Sequence, residues 1–371
     1  VNVDVPVWVQ ALGHYQASKP IDELAHDLGL RVEDIVMLVA NENPLGMSSK
    51  VREAVAKAVL QLNRYPDADA WPLKKALADH MQVPSDWIVV GNGSSELLGL
   101  AAQTVLEPGS NAVYPQYSFS LYPMVAKLCG AETREVRATE DFNADLDAML
   151  AAIDEKTKLV FLTNPNNPTG TYLPADAIEA FLEKVPSRVL VMLDEAYIDF
   201  LEPDLRPDSV RLAQKFSNVM VARTFSKAYG LAGSRVGYAV GNPQLLELFN
   251  RTRHPFNVND ISQIAAIAAL SDKAFVEETL ANNRRGIKQL TQAFDEMGLP
   301  YMGLHGNFVT VKIGEHCSAV LEALFKKGII VRKMKSYDLP EWVRVSVGTE
   351  AENNKFLSVL RAELAKLEKN S

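Results

Sequence analysis

The run Val221-Ala222-Arg223-Thr224-Phe225-Ser226-Lys227-Ala228-Tyr229-Gly230-Leu231-Ala232-Gly233-Ser234-Arg235-Val236-Gly237-Tyr238 decides how this chain is read. The largely apolar stretch from Asn218 to Ala222 leads into it as a buried strand. Small hydroxyl residues then flank one lysine, and glycines and alanines carry the chain to Arg235 and a second strand-like run. A lysine just past a buried strand is a candidate amine nucleophile, because partial desolvation lowers its pKa and frees its lone pair. A lone loop lysine is ordinarily a solvated surface residue. Thr224, Ser226 and Arg235, all within eight residues of Lys227, form a phosphate-binding set and separate it from that case. A lysine beside a phosphate clamp suits pyridoxal phosphate, whose aldehyde forms a Schiff base with the amine.

Upstream, other strand ends carry matching chemistry. Val189 to Leu193 is a continuous apolar run that ends in Asp194-Glu195-Ala196-Tyr197. A carboxylate directly after a buried strand is costly unless paired. Asp194 therefore requires a cation, either a protonated pyridine nitrogen or an arginine. Lys158 to Thr163 is a β-run ending in Asn164-Pro165-Asn166-Asn167-Pro168-Thr169-Gly170, whose two X-Pro steps enforce a rigid loop. Trp87 to Val90 meets Gly91-Asn92-Gly93-Ser94-Ser95-Glu96, which opens a helix through Val105. Its unpaired N–H groups form an anion site, although such turns also serve as plain caps. Asn111 to Tyr114 reads as a strand, with Tyr117 beginning the next helix and placed either to stack on a flat ring or to pack in the core.

The strands alternate with helices through Leu270, which predicts an α/β fold with a mainly parallel sheet covered on both faces. Beyond Ser271 a long charged amphipathic helix leads to a second α/β unit: strand 308–313, helix 318–327, strands 329–334 and 342–347, and a final helix. Arg332 and Arg344 sit inside those strands, where each must face solvent, a carboxylate or a ligand. The expected division is an arm over 1–40 that packs with the small domain, a large cofactor domain over 41–270 and a small C-terminal domain over 271–371.

Composition narrows the function classes. The 371 residues are 47% hydrophobic and 23% charged, ordinary for a globular protein, and the net charge of -8 leaves no basic footprint for nucleic acid. No apolar run approaches the roughly 20 residues that span a bilayer, and no signal-peptide pattern opens the chain, so a cytoplasmic protein without membrane contact is expected. The two cysteines read as buried free thiols, and the six scattered histidines suggest no metal site.

The ordered series N-E-N-P-L-G (41–46), R-Y-P-D (64–67), G-N-G-S-S-E (91–96), T-N-P-N-N-P-T-G (163–170), L-D-E-A-Y (193–197), T-F-S-K (224–227), G-L-A-G-S-R-V-G-Y (230–238), G-I-I-V-R (328–332) and W-V-R-V-S-V-G (342–348) covers most of the chain. It resembles the histidinol-phosphate aminotransferases, a family within the class I/II, fold-type I aminotransferases. Tyr229 departs from residues frequent at that place and leaves the catalytic set intact.

The resemblance implies the following roles. Lys227 holds pyridoxal phosphate and then acts as general base, Asp194 keeps the ring nitrogen protonated, and Asn167 and Tyr197 hydrogen-bond the ring hydroxyl. Tyr117 stacks on the ring, while Thr224, Ser226, Arg235 and the N–H groups of Ser94 and Ser95 grip the phosphate. Tyr65 reaches the neighbouring subunit's phosphate, so a homodimer is implied. Arg332 and Arg344, with Tyr15 from the arm, bind the substrate anions. Asn259 is either a polar contact in the side-chain pocket or a structural loop residue. The implied reaction moves an amino group from L-histidinol phosphate to 2-oxoglutarate, giving glutamate, in histidine biosynthesis. The alternatives on the same frame are an aromatic amino acid aminotransferase and a phosphothreonine decarboxylase.

Overall fold

A computed structural model describes residues 3–13 and 19–368. Eleven strands among them form two sheets: β1 (Val36–Leu38), β2 (Ile88–Gly91), β3 (Asn111–Pro115), β4 (Glu132–Val136), β5 (Thr157–Thr163), β6 (Leu190–Asp194), β7 (Val219–Thr224), β8 (Gly237–Gly241), β9 (Phe308–Lys312), β10 (Ile329–Lys333) and β11 (Trp342–Ser346). The larger sheet has the order β2-β8-β7-β6-β5-β3-β4. Its strands β4, β3, β5, β6 and β7 pair in parallel, and β8 runs antiparallel between β7 and β2.

Side-chain alternation explains why both faces are covered. On β7, Met220 and Ala222 join Phe161, Met192, Leu97, Leu98 and Tyr122 on one face. Val219 and Val221 join Val160, Leu162, Val191, Phe181 and Leu182 on the other. Both sets are fully or almost fully buried, and each large aliphatic or aromatic side chain so removed from water contributes about 1.5–3 kcal/mol.

The smaller sheet has the order β1-β10-β11-β9, with β1 parallel to β10 and the other pairs antiparallel. The arm therefore supplies an edge strand to a sheet built nearly three hundred residues later. Helices Lys273–Glu296, Cys317–Lys326 and Glu350–Glu368 cover this sheet through Phe294, Val320, Phe356 and Leu360. Side-chain oxygens of Ser48, Asn242, Asn259 and Asp272 cap helix N-termini by accepting backbone N–H bonds.

Two local expectations change. Tyr117 does not begin a helix: it occupies a left-handed turn at φ 52°, and the helix runs from Leu121 to Leu128. Arg235 likewise lies in a left-handed cap at φ 54°, so β8 starts at Gly237.

The two sheets meet closely beside the 163–170 loop. Thr310 Oγ1 donates to the Pro168 carbonyl at 2.5 Å, and His305 N–H donates to the Gly170 carbonyl at 3.0 Å. A Cβ on Gly170, whose φ is +71°, would stand 2.2 Å from the Gly303 carbonyl oxygen. Only glycine permits that approach.

Candidate active site

The ends of β5, β6 and β7, the turn after β2, the residues following β1 and strands β10 and β11 enclose one cavity of about 390 Å³. Lys227, Asp194, Tyr197, Asn167, Ser94, Ser95, Thr224, Ser226, Arg235, Arg332 and Arg344 all line it. Residues spread over 250 positions of sequence thus share one wall, because parallel strands deliver their C-terminal ends to the same side.

At one end lies an anion cradle. Gly93 caps helix Ser94–Val105 at φ 76°, and a Cβ there would sit 2.6 Å from Arg235 Nη2. The guanidinium therefore rests against the bare helix N-terminus. Arg235 Nη1 donates to Ser226 Oγ at 3.4 Å and to the Ala232 carbonyl at 3.1 Å, while Thr224 Oγ1 donates to Ser226 Oγ at 3.0 Å. Helix-end N–H groups, two hydroxyls and a planar cation make a phosphate site.

Across the cavity, Asp194 closes β6 and is only 3% exposed. Its Oδ2 accepts from Tyr122 O–H at 2.8 Å and its Oδ1 from Ala196 N–H at 3.2 Å. Burial outweighs these bonds and pushes the carboxyl up to about 6. A cation at this carboxylate would reverse that penalty. Among the described residues no arginine pairs with Asp194; the half-buried Arg223 pairs instead with Glu195, at 2.9 Å.

Between the two ends stands Lys227, half-buried, its Nζ donating to the Ala40 carbonyl at 3.0 Å and lying 5.7 Å from the Tyr197 ring centroid. Desolvation, then the Arg344 charge, push its ammonium down to about 7, against an opposing pull from Glu42. Such an amine is available as a nucleophile and a base near neutral pH. Tyr197 is buried, its phenol pushed up to about 12 chiefly by desolvation and thus kept protonated.

The third feature is a second anion site. Arg332 and Arg344 stand opposite each other in the antiparallel register of β10 and β11. Arg344 is buried against Phe308, its Nη1 donating to Asn167 Oδ1 at 2.5 Å and its Nη2 to the Val39 carbonyl at 2.8 Å. An anion cradle, a lysine, a buried carboxylate and a pair of arginines fit pyridoxal phosphate together with an anionic substrate.

Three described candidates are not among the residues that line the cavity. Tyr117 packs against Phe142 at 5.7 Å and borders a smaller neighbouring cavity; Phe119, two residues on, is the aromatic that lines the site. The left-handed turn at Tyr117 is what displaces it. Asn259 is a helix cap, its Oδ1 accepting from Ser262 N–H at 2.9 Å. Tyr65 is 84% exposed and stacks on Phe256 at 4.8 Å, outside this chain's own cavity. Tyr15 lies outside the described residues. Conversely, Phe119, Tyr122 and Asn41 carry no assigned role in the sequence. Tyr122 reads there as one apolar position of a helix, and only the fold turns its hydroxyl onto Asp194.

The family model of aminotransferase class I and II matches residues 33–360. Histidinol-phosphate aminotransferase 1 of Cupriavidus pinatubonensis is 48% identical over 362 residues, 97% of this chain and 96% of that protein. Histidinol-phosphate aminotransferase 2 of Ralstonia nicotianae is 48% identical over 366 residues, 98% of each. Among solved structures, the histidinol-phosphate aminotransferase of Sinorhizobium meliloti in complex with pyridoxal-5'-phosphate superposes with a TM-score of 0.89 at 30% identity, over 96% of this chain and 98% of that one.

Proposed function

The chain belongs to the class I and II aminotransferases, and from that premise we propose that it transfers the amino group of L-histidinol phosphate to 2-oxoglutarate, with pyridoxal phosphate bound in the cavity. The observation that carries this reading is the gathering of Lys227 and Asp194 with two separate anion sites in one enclosure. Two anion sites are what a phosphorylated cofactor and a phosphorylated donor require. Full-length likeness to relatives that bear the histidinol-phosphate name supports this donor over an aromatic amino acid.

When bound, pyridoxal phosphate supplies an aldehyde that captures the amine and a ring that withdraws electrons. The chain's residues do the rest. Ser94, Ser95, Thr224, Ser226 and Arg235 would hold the phosphate, and Phe119, which lines the cavity, would take the ring-stacking role expected of Tyr117. Asp194 would hold a proton on the ring nitrogen and so gain a cation for its buried carboxylate. Tyr197 and Asn167, which line the same cavity, would hydrogen-bond the ring hydroxyl. Lys227 Nζ, poised near neutrality, would take the proton from the amine-bearing carbon of the donor and hold it for return. Arg344 and Arg332 bind the donor's phosphate ester and, in the second half-reaction, the carboxylate of 2-oxoglutarate.

On this reading residues 41–270 are the cofactor unit, and the smaller 271–371 unit carries the arm of 1–40 through the pairing of β1 with β10. The working form is a homodimer in which Tyr65 completes the partner's site. Tyr65 and its sequence neighbours Leu60, Leu62 and Trp71 are exposed large side chains that a second copy would cover. Among the described residues no helix is long and apolar enough to cross a membrane.

The test is a single-turnover titration of the cofactor-loaded protein, following its visible absorbance band as donors are added. Conversion by histidinol phosphate at far lower concentration than by phenylalanine or tyrosine is the expected result. Equal or better conversion by the aromatic amino acids overturns the donor, and absence of any band after adding pyridoxal phosphate overturns the cofactor.

A further inference from the structure

Asn41 lies just beyond β1, is 1% exposed, and takes a left-handed conformation at φ 54°. Its hydrogen bonds reach three separate parts of the chain. Its backbone N–H donates to Ser346 Oγ, at the end of β11, at 2.8 Å. Ser346 O–H donates back to Asn41 Oδ1 at 2.9 Å. Asn307 Nδ2, just before β9, donates to the Asn41 carbonyl at 3.0 Å. On the opposite side, Asn41 Nδ2 donates to the Tyr197 hydroxyl oxygen at 3.0 Å.

Counting protons gives this arrangement a direction. A serine hydroxyl has one proton. Ser346 Oγ accepts from the Asn41 N–H, so its own proton is directed to Oδ1, and the amide oxygen is fixed toward Ser346. The amide nitrogen is thereby fixed toward Tyr197. A tyrosine hydroxyl also has one proton. Because Asn41 already donates to its oxygen, the Tyr197 proton is turned away from Asn41, on the side where the phenol borders the cavity.

We propose that Asn41 is a positioning residue, whose amide holds the Tyr197 hydroxyl as a donor into the cavity and ties that orientation to the smaller sheet through Ser346. The inference rests on the reading of this cavity as the pyridoxal phosphate site. It goes beyond that reading by assigning the donor polarity of Tyr197 to a residue on another sheet. The charged and titratable groups around Tyr197 are Arg344 on β11, Asp194 on its own turn, Lys227 and Tyr337. None of these bonds is made by substrate, so a change at Asn41 acts through Tyr197.

The experiment measures the pH midpoint of the visible band in wild type, Asn41→Ala, Asn41→Asp, Ser346→Ala, Tyr197→Phe and the Asn41→Ala/Tyr197→Phe double variant, all loaded with pyridoxal phosphate. A donor to an ionised ring oxygen favours the deprotonated form of the chromophore, so its loss raises the midpoint. Asn41→Ala is expected to raise it by about half to one pH unit, the scale of one hydrogen bond. Asn41→Asp, an acceptor that draws the Tyr197 proton to itself, should raise it as much or more, and Ser346→Ala should raise it less. In the double variant the Asn41 change should add nothing to Tyr197→Phe, since the residue it acts through has lost its hydroxyl. An unshifted midpoint in folded Asn41→Ala, or equal shifts with and without the Tyr197 hydroxyl, overturns the proposal. If Asn41→Ala fails to fold, the Asn41→Asp and Ser346→Ala midpoints decide by the same criterion. A wild-type protein that forms no band overturns the cofactor reading instead.

Discussion

Asp194→Asn should make the cofactor-free protein more stable while disabling the loaded one. Burial lifts the Asp194 carboxyl from 3.8 to about 6 against the help of Tyr122 and the Ala196 N–H. The folded value lies above the unfolded one. The stabilising contribution of the protonated acid is therefore fully present below the unfolded value and is lost as pH rises through about 6. At pH 7.5 the fold carries the whole cost of the buried charge, about two pH units or roughly 3 kcal/mol as an upper figure. Asparagine removes the charge and keeps the shape. It can still accept from the Ala196 N–H, and its Nδ2 can donate to the Tyr122 hydroxyl oxygen in place of the bond the carboxylate accepted. Allowing for imperfect rebonding, a gain of about 1–3 kcal/mol is expected at pH 7.5, shrinking toward pH 5 and vanishing below 4. Urea unfolding of the stripped proteins across that range measures it, with absorbance confirming the absence of cofactor. Adding pyridoxal phosphate should reverse the order, because wild type then acquires a cation for its carboxylate. An Asp194→Asn protein no more stable than wild type at pH 7.5, or equally stabilised at pH 4, would refute the reasoning.

Three further outcomes follow from the same geometry. Lys227→Ala should abolish turnover and shift the bound chromophore while leaving the thermal midpoint and phosphate-dependent cofactor binding largely intact; full turnover would sink the role of the lysine. Arg344→Ala should slow both half-reactions, each measured in a single turnover, by at least about tenfold, the scale of one charged hydrogen bond; loss confined to the glutamate half would reject a shared anion site. Gly93→Ala places a methyl group against Arg235 Nη2 at a positive φ, so titrating the apoprotein with pyridoxal phosphate should show markedly weaker binding and little change in the donor half-reaction once saturated; unaltered affinity would remove the cradle from the cofactor site.

Much of this site is legible in the sequence because its chemistry sits where strands end. A run such as Val189 to Leu193 announces a buried strand, and the acid that follows it cannot be left unpaired. The same logic finds Lys227, Ser94 and Asn167, each one turn past an apolar run. Long-range pairing is what the sequence conceals. Nothing local to Val36–Leu38 says that it pairs with a strand near residue 330, and without that pairing Asn41 has no visible neighbour. Tyr122 is hidden differently, since its helix pattern calls only for an apolar face, and its ring stacks on Phe161 at 4.6 Å as any core aromatic would. Its hydroxyl acquires a purpose only when β6 places Asp194 beside it.

The Tyr117 and Phe119 exchange has a related cause. Both aromatics follow the end of β3, and which one borders the cavity depends on the backbone between them. A helix starting at Tyr117 would hold two residues of that spacing about 200° apart, on nearly opposite sides. The left-handed residue at Tyr117 delays the helix to Leu121 and turns the chain, so that Tyr117 joins Phe142 and Trp342 near the second sheet while Phe119 faces the site. Two neighbouring aromatics thereby serve two surfaces: Phe119 borders the cofactor cavity, and Tyr117 packs where the two sheets meet. Asn166 secures the division by donating its Nδ2 to the Tyr117 carbonyl at 2.7 Å, so the loop that carries Asn167 into the site also holds the turn that keeps Tyr117 out of it.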